Sequence, residues 1–212
     1  MLYRLLLVYL CSFSVWHTGF TQSAPEFDFY VLSLSWSPEF CAVKPDNRQC
    51  GRGYGLVLHG LWPQNERGYP QDCSSERLPG QLLQSFTDLY PDTGLAFHGW
   101  KKHGTCSGLS PKNYLQLSQT LKNQFVTPAP LQALSSPLRI NAQELQAQIV
   151  AANPRLTPAA ILFSCADSGR FLQEIYICYD AQGEHATSCS AEMQRRSQKS
   201  CGQGSFLVRN LR

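Results

Sequence analysis

Two short stretches gather side chains able to move protons and hold an anion. The first is His59-Gly60-Leu61-Trp62-Pro63-Gln64, where an imidazole leaves an apolar run and enters a segment punctuated by Gly and Pro. This reads as a strand end presenting His59 at a turn, the kind of place where a rigid sheet offers a side chain to solvent. The second is Phe97-His98-Gly99-Trp100-Lys101-Lys102-His103-Gly104-Thr105-Cys106, with two His and two Lys within six residues. If residues 96 to 104 are helical, His98 and Lys102 stand four apart on one face and can grip one anion, and Gly99 and His103 share a face in the same way. Taken singly, each stretch also has an ordinary reading: a strand-end His bonded to nearby backbone, and a solvated basic helix end.

Competing chemistries fit these residues poorly. Zinc binding through H-E-x-x-H needs two His four apart with a carboxylate between them, whereas His98 and His103 are five apart with none. No C-x-x-C pair and no G-x-S-x-G segment occurs. A Cys-His nucleophile pair requires a free thiol, which an even number of Cys in a secreted chain disfavours. What fits is proton transfer around a bound phosphate: one imidazole as base, one as acid, with ammonium groups beside them. That suits a phosphodiester whose nucleophile is built into the substrate, as the 2′-hydroxyl is in RNA.

Such groups need a scaffold. Residues 27 to 35 alternate apolar and polar after Phe29, and 54 to 59 form a second short apolar run, so both read as strands. Leu82, Leu83, Phe86, Leu89 and Tyr90 share a helical face closed by Pro91. Ser110-Pro111 caps a helix carrying Tyr114, Leu117, Leu121 and Phe125, and Asn141 with Glu144 opens a third over 141 to 152. Strand-like segments return at 159 to 165 and 171 to 179. Strands at both ends with helices between them predict an α+β fold, with a central antiparallel β-sheet packed against a layer of helices, rather than a parallel alternation.

The chain has 212 residues, 43% apolar and 16% charged, with formal net charge +3. This is enough for one domain with a full core, too rich in core-formers for disorder, and too evenly charged to coat nucleic acid with positive charge, so any nucleic-acid binding must come from a local site. Leu5 to Trp16 is uncharged, follows Arg4 and precedes Thr21-Gln22-Ser23, which predicts a signal peptide over 1–23 and a single domain over 24–212. The run is too short to span a bilayer, so no membrane association is expected after cleavage. Of nine Cys, cleavage removes Cys11; the even remainder argues four disulfides and a secreted, periplasmic or otherwise oxidising location.

The segments L-S-L-S-W-S-P-x-F-C at 32–41, H-G-L-W-P at 59–63 and W-x-K-H-G-T-C at 100–106, in that order, resemble the signatures of the ribonuclease T2 family, secreted acid endoribonucleases. The resemblance runs from about Phe27 to the C-terminus. It implies metal-independent cleavage of RNA with no cofactor, by a monomer. His103 would be the base on the 2′-hydroxyl, His59 the acid on the leaving 5′-oxygen, His98 a phosphate ligand and Lys102 a stabiliser of charge on phosphorus, giving 2′,3′-cyclic phosphate ends. Trp62 would stack on a base, with Tyr69 a candidate for its other side and Gln64 a candidate contact. Together with the Cys spacing, the resemblance also implies the pairs Cys41–Cys50, Cys73–Cys106, Cys165–Cys201 and Cys178–Cys189.

One position departs from the family pattern. The second motif usually reads H-E-W and here reads His98-Gly99-Trp100, so the carboxylate that assists at phosphorus is missing. A slower enzyme is expected, with Glu66 or Asp72 as possible substitutes. The alternative is a weakened or inactive member that binds RNA or another partner.

Overall fold

The computed structural model describes residues 27–202 and 204–211, so the expected signal peptide and Cys11 lie outside the described residues. Six strands form one sheet: β1 (Phe29–Trp36), β2 (Leu56–Gln64), β3 (Leu138–Ile140), β4 (Ile161–Ala166), β5 (Phe171–Asp180) and β6 (Phe206–Val208). Along the sheet the order is β2-β1-β5-β6-β3, with β4 paired to β5. The pairing is antiparallel except where β6 meets the start of β5 in parallel, at Phe171 and Leu207. The helices are α1 (Ser37–Val43), α2 (Thr93–Lys102), α3 (Pro111–Gln124), α4 (Ala129–Gln132), α5 (Ala142–Ala152) and α6 (Ala191–Ser200).

Strand β1 is buried along its whole length. Alternation explains how it serves two surfaces at once. Tyr30, Leu32, Leu34 and Trp36 enter the main core with Ile175, Ile177 and Tyr179 of β5, and with Tyr114, Leu115, Leu145 and Ile149 of α3 and α5. Phe29 and Val31 point the other way, into a smaller cluster with Cys178 and Cys189, against which Trp62, Tyr176 and Met193 pack. The side chains that could do chemistry stand on this second face.

Helices α3 and α5 start at Ser110 and Asn141, whose side chains accept from the Asn113 and Glu144 amides. Over 82–90 the structure differs from the sequence reading: residues Gly80–Phe86 form a 3-10 segment followed by turns. The segment follows Pro79 with no side chain capping its first amides, and the three-residue period of the 3-10 turn still buries Leu83 and Phe86. Helix α1, α6 and the short strands β3 and β6 were not read from the sequence. The C-terminal tail folds back to the start of the sheet, where Arg209 pairs with buried Glu39 and its carbonyl accepts from Trp36 Nε1 at 2.8 Å.

Disulfides join Cys41 to Cys50, Cys73 to Cys106, Cys165 to Cys201 and Cys178 to Cys189.

Candidate active site

His59 is not at a turn. It lies within β2, opposite a register shift in β1: Ser33 faces Gly60 and Leu34 faces Leu58, which leaves His59 as the extra residue of a β-bulge. The Gly and Pro that suggested a turn have other work. Pro63 is tolerated because β2 is an edge strand. Gly60 makes room for the Trp62 indole, since a Cβ at position 60 would sit 2.4 Å from Trp62 Nε1. Residues three apart in a regular strand point to opposite faces. The bulge cancels that rule, so His59 and Trp62 share the second face, their rings in edge contact with centroids 5.1 Å apart.

Helix α2 delivers the other cluster. Asp92 caps it through the Gly94 amide, so it begins at Thr93, earlier than the sequence suggested, and Gly99 lies in its interior. His98 and Lys102 sit one turn apart on it. His103 ends the helix, its amide bonded to Gly99 O at 2.9 Å. Two anchors fix this end. Trp100 is buried and donates to Glu76 O at 2.8 Å, and Cys106 is tied to Cys73 of the loop after β2. Gly104 follows because a Cβ there would meet the Trp100 ring at 2.4 Å and Tyr114 at 3.1 Å.

These elements surround a cavity of about 420 Å³ whose lining includes His59, Trp62, Gln64, Tyr69, His98, Gly99, Lys102 and His103. Every residue singled out for proton transfer, phosphate binding or base contact therefore borders one space. No Asp or Glu is among the lining residues. Glu66 and Asp72 do not border it; their amides are used in holding the loop, Glu66 to Asp28 and Asp72 to Lys102 O. Among the described residues, no group of three or more His, Cys, Asp or Glu side chains is placed to hold a metal ion.

The two imidazoles live in different surroundings. His103 is 7% exposed, lies between Trp62 and Tyr69 at centroid distances of 5.2 and 5.7 Å, and has a buried Nδ1 with no hydrogen-bond partner among the described residues. Burial, reinforced by Lys102, His98 and His59, lowers its pKa from 6.5 to about 3. His59, by contrast, makes a short Nδ1 contact with the buried carboxylate of Glu174 on β5. Burial alone would raise the Glu174 carboxyl. The bond to His59, the charge of that ring and the hydroxyls of Tyr176 and Ser33 outweigh it, holding the group below the usual carboxylate range.

Glu174 was missed in the sequence. Its signal is a carboxylate inside the apolar run Phe171-Leu172-Gln173-Glu174-Ile175-Tyr176-Ile177-Cys178, where an acid survives burial only if it is paired. Its partner lies 115 residues away, so the sequence alone names none.

Comparison with known proteins places the chain in a family. The model of the Ribonuclease T2 family matches residues 27–189. A ribonuclease of Aeromonas hydrophila is 44% identical over 93% of this chain and 94% of its own length. A probable ribonuclease of Haemophilus influenzae is 32% identical over 77% of this chain and 61% of its own. In fold, the chain resembles ribonuclease MC1 from bitter gourd seeds, with a TM-score of 0.62 and 20% identity over 77% of this chain and 94% of that one. Kinship over nearly the whole chain, an α+β fold and a cationic cavity holding two imidazoles identify this chain as a member of the ribonuclease T2 family, an RNA-cleaving enzyme.

Proposed function

We propose that the chain is an endoribonuclease that cleaves RNA by metal-independent transphosphorylation, with neutral His103 as base and protonated His59 as acid. His103 takes the proton of the 2′-hydroxyl, and that oxygen attacks the adjacent phosphorus. The bond to the 5′-oxygen breaks, and His59 protonates that oxygen as it leaves. The products are a 2′,3′-cyclic phosphate and a free 5′-hydroxyl. Lys102 and His98, one turn apart on α2, face the charge that builds on the phosphoryl oxygens. Trp62 provides the platform for a base, with Tyr69 and Gln64 beside it.

The observation that carries this reading is the unequal environment of the two imidazoles around one cavity. Acid and base roles are assigned by surroundings that push two titratable groups apart. His103, lowered to about 3, is a neutral acceptor over the working range. His59 is held through Nδ1 by the buried carboxylate of Glu174, which fixes the ring and leaves its other nitrogen available to the leaving group. Glu174 is thus a positioning residue, acting through His59. The non-catalytic alternative rests on Gly99 alone, and a pair of imidazoles with Lys102 beside them favours catalysis.

A zymogram with RNA in the gel tests the proposal. The parent chain should clear the RNA, and His59→Ala and His103→Ala should not. A DNA strand or 2′-O-methyl RNA should remain intact, and a chelator should leave the rate on RNA unchanged. Cleavage of DNA, loss of activity in chelator, or undiminished activity in both variants would overturn it. The disulfides and the expected signal peptide support a secreted, periplasmic or other oxidising location.

A further inference from the structure

Part of the cavity's lining comes from α6, which begins at Ala191, just past the last residue matched by the family model. Met193, Arg196, Ser197 and Ser200 border the cavity at the i, i+3, i+4, i+7 spacing of a single helix face. The helix is fastened at both ends, by Cys189–Cys178 just before it and by Cys201–Cys165 just after it. Two of its hydroxyls cover the outer edge of β4: Ser197 and Ser200 accept from the Phe163 and Cys165 amides at 3.2 and 3.4 Å. This satisfies donors that a sheet edge would otherwise leave open. No residue of α6 is fully buried, so these fastenings, together with the packing of Met193, set its position.

The helix is also basic, carrying Arg195, Arg196 and Lys199 against Glu192. Among the described residues the ion pair of Arg196 is with Glu192, one turn back, and its side chain is 63% exposed. An exposed pair of this kind contributes little stability and exchanges readily for a better anion. Met193, one turn earlier on the same face, packs in the cluster that includes Trp62 and Tyr176. Arg196 therefore continues the wall that runs from the base platform.

We propose that Arg196 is a phosphate-binding residue for the 5′-phosphate of the nucleotide whose base lies on Trp62, so that the enzyme prefers cleavage sites inside a chain over an unphosphorylated 5′ end. The inference rests on the reading of RNA as substrate. The assignment places this nucleotide's 2′-oxygen at His103, whose ring lies 5.2 Å from that of Trp62, and makes its 3′-phosphate the reacting group, so its 5′-phosphate is the anion left to be held. A cation on the Trp62 side, in a cavity lined by no carboxylate, is placed to hold it. A guanidinium suits the task because it meets phosphate oxygens through two parallel N–H bonds.

The test compares a dinucleoside monophosphate, made uncleavable by a 2′-deoxy first nucleotide, with the same compound carrying a 5′-phosphate. Affinity for each is measured by calorimetry on the disulfide-intact protein. The 5′-phosphate should tighten binding about tenfold in the parent, in line with a charge-assisted hydrogen bond. In Arg196→Ala the ratio of the two affinities should fall to about one. Glu192→Gln, which frees the guanidinium from its competitor, should raise the ratio. An equal ratio in parent and Arg196→Ala, no preference in the parent, or a lower ratio in Glu192→Gln would overturn the assignment. These are binding measurements, so a parent that holds the ratio yet leaves ordinary RNA intact would sink the catalytic reading and not this one.

Discussion

Gly99 stands where the family motif implies a glutamate, and it has a measurable consequence. A Cβ added to Gly99 would meet nothing within 4 Å, and the buried Nδ1 of His103, one turn on, has no partner among the described residues. There is space for a carboxylate and an atom for it to bond. The base must be neutral to act, and its pKa is lowered to about 3, so on the acid side of the bell-shaped profile activity should fall as pH approaches that value. A glutamate beside His103 would favour the charged ring and raise that pKa. Gly99→Glu is therefore expected to move the acid limb of the pH-rate profile upward and to raise the maximal rate by up to about 10²-fold, the lower end for an acid-base partner. Affinity for uncleavable substrate should hardly change. A folded variant with an unaltered profile would show that residue 99 does not face the reaction. Glu174 makes the complementary case at His59. Glu174→Ala should lower kcat by about 10²-fold with KM little changed, and Glu174→Gln, which can still hold the His59 ring, should recover part of the loss. Equal losses in kcat and folded fraction would mean that Glu174 serves the fold alone.

Among the elements, β2 shows most clearly what a sequence reveals and what it hides. Its apolar run was legible, as were β1, β4, β5, α3 and α5, because their periodicity and caps are local properties. The bulge was not, since an extra residue exists only relative to a partner strand and His59-Gly60-Leu61-Trp62-Pro63 carries the marks of a turn. The same limit hid Glu174, whose role depends on β5 lying beside β1. It hid α6 as well, a helix without a buried face. Residues joined by short-range geometry, such as His98 and Lys102, were placed together from spacing alone. The crowding at Gly60 gives a test of the bulge: Gly60→Ala must push the Trp62 indole aside. Base stacking contributes about 1–3 kcal/mol per base, so KM for RNA should rise by about fivefold or more while kcat falls less. An unchanged KM would mean that Trp62 carries no base.

In the whole molecule, the core and the site depend on different fastenings. The large apolar cluster lies on one face of the sheet, while the cavity on the other is bounded by a loop and a helix that covalent bonds secure. Cys106 is three residues from His103, and Cys189 and Cys201 bracket α6. Thiol reductant should therefore abolish RNA cleavage at concentrations where circular dichroism still reports most of the secondary structure. Full activity with every thiol free would contradict this. A machine made of RNA builds this chain from a message that is also RNA, and both are potential substrates. If the reduced chain is inactive, as expected, the newborn enzyme lacks the bonds that complete its site, and the cell's own transcripts are spared until the chain meets an oxidant.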